Sequence, residues 1–144
     1  MLVENYLYAV VSLPAGVFNP YSGVKTSILL MDKALAKKTN KILFVKIEND
    51  GYNLGAQRNE IKGGQLGDAI SLIENYKLII ENGKDFENRE LAHSVEKSKI
   101  AENGEFNLSG ERYKSDLIQK SNFEMVSLSN TDIFKVVSGG TPSS

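Results

Sequence analysis

Three short apolar runs within the first 49 residues constrain this chain most strongly. Tyr8-Ala9-Val10-Val11-Ser12-Leu13 is closed by Pro14 and Gly16 and predicts a strand buried on both faces. Lys25-Thr26-Ser27-Ile28-Leu29-Leu30-Met31 predicts a second strand, and Lys41-Ile42-Leu43-Phe44-Val45-Lys46-Ile47 a third. The lysines flanking the third run suit a sheet edge or an exposed strand end. Only the short polar linker Lys37-Lys38-Thr39-Asn40 separates the second and third runs, which predicts that they pair as antiparallel neighbours. No amphipathic stretch of about ten residues intervenes, so these strands do not make a complete doubly wound sheet.

Beyond Asn49 the pattern changes. Asp50-Gly51-Tyr52-Asn53 marks a turn. From Asp68, the residues Ala69, Leu72, Ile73, Tyr76 and Ile80 fall on one face at helical spacing, and Gly83 provides the stop. The rest of this stretch reads as helical or irregular. The expected organisation is therefore 1–49 strand-rich, 50–120 a mainly helical extension, and 121–144 a separate tail.

The charge balance excludes a global electrostatic attraction to nucleic acid. The 144 residues carry 17 basic and 18 acidic side chains, a net charge of −1, so any DNA contact must come from a local face or a partner. The absence of cysteine excludes disulfides and thiolate metal sites and suits a reducing compartment. No signal-peptide pattern opens the sequence, and no apolar run approaches the ~20 residues of a membrane span. A soluble cytoplasmic protein without a membrane partner is expected.

Three segments carry a family likeness. Leu13-Pro14-Ala15-Gly16-Val17-Phe18-Asn19-Pro20-Tyr21-Ser22-Gly23-Val24-Lys25-Thr26-Ser27-Ile28-Leu29 resembles, almost position for position, the methylation subunit of type I restriction-modification systems, a family of adenine-N6 DNA methyltransferases. Asn107-Leu108-Ser109-Gly110-Glu111-Arg112-Tyr113 resembles the segment that closes the methyltransferase region in that family. Phe123-Glu124-Met125-Val126-Ser127-Leu128 and Asp132 to Ser143, with Ser138-Gly139-Gly140-Thr141-Pro142, are similar to the opening of a target-recognition domain of a specificity subunit. There, Leu128-Ser129-Asn130-Thr131-Asp132 replaces the family's Leu-Gly-Asp turn.

The resemblance implies a parent enzyme that transfers methyl groups from S-adenosylmethionine to adenine N6 in DNA. It implies DNA as a partner, together with specificity and restriction subunits or their fused equivalents. The implied fold is α/β, the C-terminal part of a Rossmann-like methyltransferase sheet with mostly antiparallel last strands, followed by a helical extension. The first segment lies downstream of the cofactor and catalytic motifs in the family, so this chain is expected to be a fragment of the parent.

The residues agree with a chain that holds no catalytic, cofactor or metal site. Asn19-Pro20-Tyr21 lacks the second proline of the Asn-Pro-Pro-Tyr motif, and no other copy occurs. The glycine-rich turn that cradles S-adenosylmethionine is absent, and Gly16 and Gly23 are spaced wrongly for a phosphate-binding loop. His93, the single histidine, has no catalytic or ligand partner in the pattern and reads as a surface side chain. Glu48-Asn49-Asp50-Gly51 lacks the spacing of a calcium loop.

By resemblance, Phe18 and then Tyr21 match the aromatic that packs against a flipped adenine; ordinary core filling and a solvated loop aromatic are the alternatives. Lys25 either contacts a DNA phosphate or extends from a strand start with its ammonium in water. Lys33, Lys37, Lys38, Lys41 and Lys46 are expected to crowd one hairpin, as a solvated face or a DNA-facing one. A non-catalytic module that docks on methylation or specificity subunits is the competing function. Strands deprived of upstream neighbours also predict self-association as a homodimer.

Overall fold

The computed structural model describes residues 2–114, which form a mixed α/β unit around one four-stranded sheet. The elements follow as α1 (Leu2–Asn5), β1 (Leu7–Ser12), β2 (Ser27–Met31), α2 (Lys33–Lys38), β3 (Lys41–Lys46), α3 (Leu66–Glu81), β4 (Ala92–Glu96) and α4 (Lys97–Ile100). Two single 3-10 turns follow at Glu102–Gly104 and Gly110–Tyr113. The expected tail features between Phe123 and Ser143 lie outside the described residues.

The strand order is β2-β1-β3-β4. The β1/β2 and β3/β4 pairs are antiparallel, whereas β1 and β3 run parallel, with Val10 opposite Phe44. All three predicted strands form, but the predicted pairing of the second and third does not. They point in opposite directions, yet β1 lies between them. The cause is α2, where a short polar linker was expected. Asp32 caps this helix, its Oδ1 accepting from the amides of Ala34 (2.8 Å) and Leu35 (3.0 Å). Lys37 and Lys38 occupy the last turn, where cations favour the helix dipole. With Leu35 and Ala36 buried, this turn of helix carries the chain across β1 to its far side. β3 is consequently an interior strand, and its flanking lysines mark strand ends, not an edge.

The fourth strand, β4, falls inside the stretch read as helical or irregular. Its sequence, Ala92-His93-Ser94-Val95-Glu96, is too short and polar to announce itself. It is recruited by pairing: Ala92 to Glu96 align with Val45 to Lys41.

Strand alternation then sorts the apolar residues onto two faces. One face places Leu43, Val45, Ile47, Ala9 and Val11 against Ala69, Leu72, Tyr76 and Ile80 of α3. These four helix residues are among those the sequence pattern assigns to the buried side, and Gly83, at φ +63°, follows the helix end as expected. Tyr76 also donates its hydroxyl to the Lys41 carbonyl at 3.0 Å and meets Phe86 edge to face at 5.5 Å. The opposite face places Val10, Ile42, Phe44 and Val95 against Val3, Ile100 and Tyr113.

Among the described residues, β2 and β4 are the edge strands, and β2 pairs with β1 alone. Ile28, Leu29 and Met31 stay exposed on β2. β1 is paired along both sides, so the unpaired edge on which the expected self-association depends falls to β2.

The second face is closed by the Asn107–Tyr113 segment, whose backbone must come very close to Phe44. A Cβ on Gly110 would stand 2.7 Å from Phe44 Cβ and 2.9 Å from Cγ and Cδ1. Gly110→Ala is therefore expected to destabilise the protein by ~1–3 kcal/mol through overpacking. A urea midpoint equal to that of the unsubstituted protein would contradict this close approach.

Candidate functional site

The loops that follow β1 and β3 emerge at the same end of the sheet, because these two strands are parallel. Carboxyl ends of parallel strands are where open α/β sheets hold ligands. The Leu13–Thr26 connection is a closed excursion. Leu13 N donates to Thr26 O at 2.9 Å across its base. Near its tip, Asn19 N donates to Gly16 O (3.0 Å), and both Tyr21 N (2.8 Å) and Ser22 N (3.0 Å) donate to Phe18 O. The Asn19–Pro20 peptide is cis. These turns hold Phe18 and Tyr21 out of the core: Phe18 is 49% and Tyr21 94% exposed. The core-filling alternative for Phe18 does not hold, whereas Val17 packs against the core in its place.

The 47–65 connection is the second excursion at this end. Its neck is tight, since Gln65 Oε1 accepts from Glu48 N (2.8 Å) and Asn49 N (3.1 Å), and Gln65 N donates to Asn49 O (2.8 Å). The predicted turn at Asp50 forms, with Gly51 at φ +92° and Asp50 Oδ1 accepting from Tyr52 N at 3.2 Å. Inside the loop, the largely buried Asp50 forms an ion pair with Arg58. Arg58 also donates to Asn53 O (3.2 Å) and, across the gap, to Gly16 O (3.4 Å). Asn19 Nδ2 donates in the other direction, to Leu54 O at 2.8 Å. The two loops are thus fastened together beside the exposed aromatics.

Lys25 stands at the far end of the first loop, 3.7 Å from Glu111, which also receives Lys46 at 2.5 Å. Lys46 reaches Glu48 as well, at 2.7 Å. Hydrogen bonds to Glu111 and then Glu48 hold the Lys46 ammonium well above its ordinary range, while burial opposes them. Glu111 is held below the usual carboxylate range by the Lys46 hydrogen bond first and the Lys25 charge second. Two of the sequence segments singled out above, Leu13–Leu29 and Asn107–Tyr113, therefore meet through Lys25, Glu111 and Lys46.

Lys33, Lys37 and Lys38 share the short helix α2. Lys41 lies at the opposite end of β3 and pairs with Asp85 at 2.6 Å, and Lys33 sits over the Tyr6 ring. The expectation of one lysine-crowded hairpin fails because α2 and β1 come between β2 and β3. Among the described residues, no group of three or more His, Asp or Glu side chains is placed to hold a metal. No described helix is long and apolar enough to cross a membrane.

A model of the N-6 DNA methylase family matches residues 1–121. The chain belongs to this family. No curated protein matches it. Among solved structures, it is similar to a modification subunit of a putative type I restriction enzyme from Vibrio vulnificus YJ016, at 20% identity and a TM-score of 0.40. That match covers 69% of this chain and 18% of the modification subunit, so the chain spans under a fifth of its length.

In this N-6 DNA methylase chain, the residues singled out from the sequence, Phe18, Tyr21 and Lys25, lie in or at the end of the first loop, whereas the Asp50–Arg58 pair and the burial of His93 have no counterpart in the sequence pattern. Nothing in the Asp50 to Arg58 spacing announces an ion pair, since loop contacts follow no period. His93 corrects the expectation of a surface side chain. It is 4% exposed, stacked on Phe44 at 5.7 Å, with Nε2 2.9 Å from Gly110 O. A carbonyl only accepts, so Nε2 carries the proton, and among the described residues the buried Nδ1 has no hydrogen-bond partner. The burial of His93 follows from the pairing of β4 with β3, which the local sequence pattern does not contain.

His93 links this packing to pH. Burial lowers its pKa, the Gly110 hydrogen bond opposes that shift, and the Lys114 charge adds to it. The unfolded chain, with an ordinary histidine pKa of about 6.5, binds the proton more readily than the folded one. Stability should therefore fall as pH drops below about 6.5, before carboxylates titrate. Urea midpoints at pH 7.5 and pH 5.5 should differ in the unsubstituted protein and converge in His93→Gln, whose amide can still donate to Gly110 O. An equal pH response in both proteins would assign the effect elsewhere.

Proposed function

We propose that this chain forms the target-base side of a site-specific adenine-N6 DNA methyltransferase of the type I kind. The observation that carries the reading is the exposed Phe18–Tyr21 loop at the carboxyl end of β1, in a chain of the N-6 DNA methylase family. Enzymes that modify a base extrude it and hold it against aromatic faces. A core phenylalanine would be buried; Phe18 is instead held outward by the turns at Gly16 and Phe18 and is free to stack. Tyr21, almost wholly exposed, is the second stacking face. Lys25, half exposed beside Glu111, would meet a phosphate only in competition with that carboxylate.

On this reading, methyl transfer from S-adenosylmethionine to adenine N6 is the activity of the larger enzyme. The residues present do not fit the cofactor. The adjacent glycines Gly63 and Gly64 sit at the neck of the second loop, with Gly64 packed against Gly51, instead of following a strand into a helix. No step of methyl transfer is assigned to this chain. DNA and the specificity and restriction subunits, or fused equivalents, are the partners of such an enzyme, which would act in the cytoplasm. Residues 121–144 would open its target-recognition module.

A second reading, a non-catalytic interaction module, is favoured by the open side of β2 and its exposed Ile28, Leu29 and Met31. An unpaired edge recruits another strand. It could be a strand of a methylation subunit or β2 of a second copy, giving the homodimer.

An oligonucleotide carrying 2-aminopurine separates the two readings. At low salt, base stacking on Phe18 should quench its fluorescence. Phe18→Ala should remove most of that quench and Tyr21→Ala a smaller part, with S-adenosylmethionine leaving the signal unchanged. The stacking contribution at stake is roughly 1–3 kcal/mol per base. A quench unaffected by both substitutions would overturn the base-contact reading in favour of the interaction module.

A further inference from the structure

We propose that the Asp50–Arg58 pair, with the Leu54 carbonyl, forms a clamp that positions the Phe18–Tyr21 loop for base contact. The proposal rests on the target-base reading of that loop and adds Arg58 and Asp50 to it as positioning residues.

The loop that presents the aromatics is short of rigid support of its own. Its internal bonds are turn bonds, three of which converge on the carbonyls of Gly16 and Phe18. Turn bonds shape a loop but do not fix it relative to the sheet. Val17 anchors its start on the core and Lys25 its end on Glu111, while around Phe18 two side-chain bonds join it to the 50–58 region. Arg58 Nη1 donates to Gly16 O, the same carbonyl that accepts Asn19 N. Asn19 Nδ2 donates to Leu54 O. The tethers therefore grip the residues on either side of Phe18, at Gly16 and Asn19.

The gripping side is itself heavily constrained. Arg58 adopts φ +50°, a left-handed conformation that residues with side chains rarely take. It is held there by its backbone N–H donating to Gly55 O (3.0 Å), by the ion pair with buried Asp50, and by the Tyr52 ring 5.6 Å from the guanidinium. Asn53 Oδ1 accepts from both Gly55 N (3.2 Å) and Asn59 N (3.1 Å), closing the turn beneath it. A strained residue fixed by so many partners is suited to holding something else in register. The planar fork matters, because one nitrogen serves Asp50 while the other reaches Gly16. A lysine would keep the charge for Asp50 and lose the second reach.

Close packing adds to the grip. A Cβ on Gly16, which sits at φ +83°, would stand 3.0 Å from Asn19 Nδ2 and 3.2 Å from Leu54 Cδ2. The aromatic loop and the clamp are thus in contact where the tethers cross.

Arg58→Lys and Asn19→Ala in the full chain test the clamp from its two sides by hydrogen–deuterium exchange. The amides of Asn19, Tyr21 and Ser22 should exchange at least tenfold faster in each variant, while those of β1 and β3 keep their rates. The 2-aminopurine quench should fall in Arg58→Lys, with the salt dependence of oligonucleotide binding unchanged, since phosphate contacts are not altered. Unchanged loop exchange in both variants would overturn the clamp. Should Arg58→Lys also speed the sheet amides, Asn19→Ala, which leaves the buried pair intact, decides the matter by the same criterion. An unsubstituted protein that gives no quench would defeat the base-contact reading, while the exchange rates would still decide the clamp.

Discussion

The placement of β1 between β2 and β3 is the constraint on which the rest of the molecule depends. Pairing along both sides satisfies the backbone of β1, and its consecutive apolar side chains project from both faces of the sheet, so both faces call for a cover. Leu7 to Val11 are accordingly buried throughout. One face receives α3, and the other receives α1, α4 and the Asn107–Tyr113 segment. The second cover explains why a glycine stands at position 110. The segment must lie flat on Phe44, with Tyr113 beside the same ring at 5.8 Å, and a side chain at that point would lift it away. The parallel β1/β3 pair then brings two loops out at one end, and the geometry of the candidate site follows from that topology.

Buried polar groups decide how those covers are locked. His93 joins β4 to the covering segment through Gly110, and burial keeps it neutral by disfavouring the charged imidazole first. Lys97 does a similar task at the opposite end of the sheet. Its ammonium donates to Ala36 O at 2.6 Å in α2 and to Glu4 O at 3.1 Å in α1, placing a cation at the carbonyl ends of both short helices. Desolvation pulls its pKa down while the Glu4 charge opposes that shift. Helices of four and six residues are too short to persist alone, and tertiary anchors of this kind hold them in place.

The elements legible in the sequence were those with a strong local period. The three apolar runs became β1, β2 and β3, and the three-and-four spacing from Ala69 to Ile80 became the core face of α3. The pairing was not legible, because it turned on six helical residues. Asp32 before Lys33-Ala34-Leu35-Ala36 is a capping signal, but one too brief to outweigh the reading of a short linker. β4 was hidden for a different reason. Its identity comes from the partner it aligns with, which a local pattern does not contain. At the site, the segment resemblance reached Phe18, Tyr21 and Lys25, whereas Asp50 and Arg58 became visible only when two loops far apart in sequence were brought to one end of the sheet.

The charges at that end bear on how a nearly neutral chain could meet DNA. Lys25 and Lys46 share Glu111, Lys46 also takes Glu48, and Arg58 is matched by Asp50. These three cations are thus each opposed by a carboxylate, and little unbalanced positive charge faces outward from them to attract phosphate. Counterion release scales with the number of phosphates neutralised, so paired cations contribute weakly to affinity and to its salt dependence. Aromatic stacking carries no such requirement, since every base offers a π face irrespective of the charge around it. On the proposed reading, the chain would contribute to where a base is held rather than to how strongly the duplex is attracted, and attraction would fall to the partners. Rigidity then matters more than charge: a stacking face that wanders loses its value even if its exposure is unchanged. The fastening of the Phe18–Tyr21 loop to Arg58 and Leu54 meets that need.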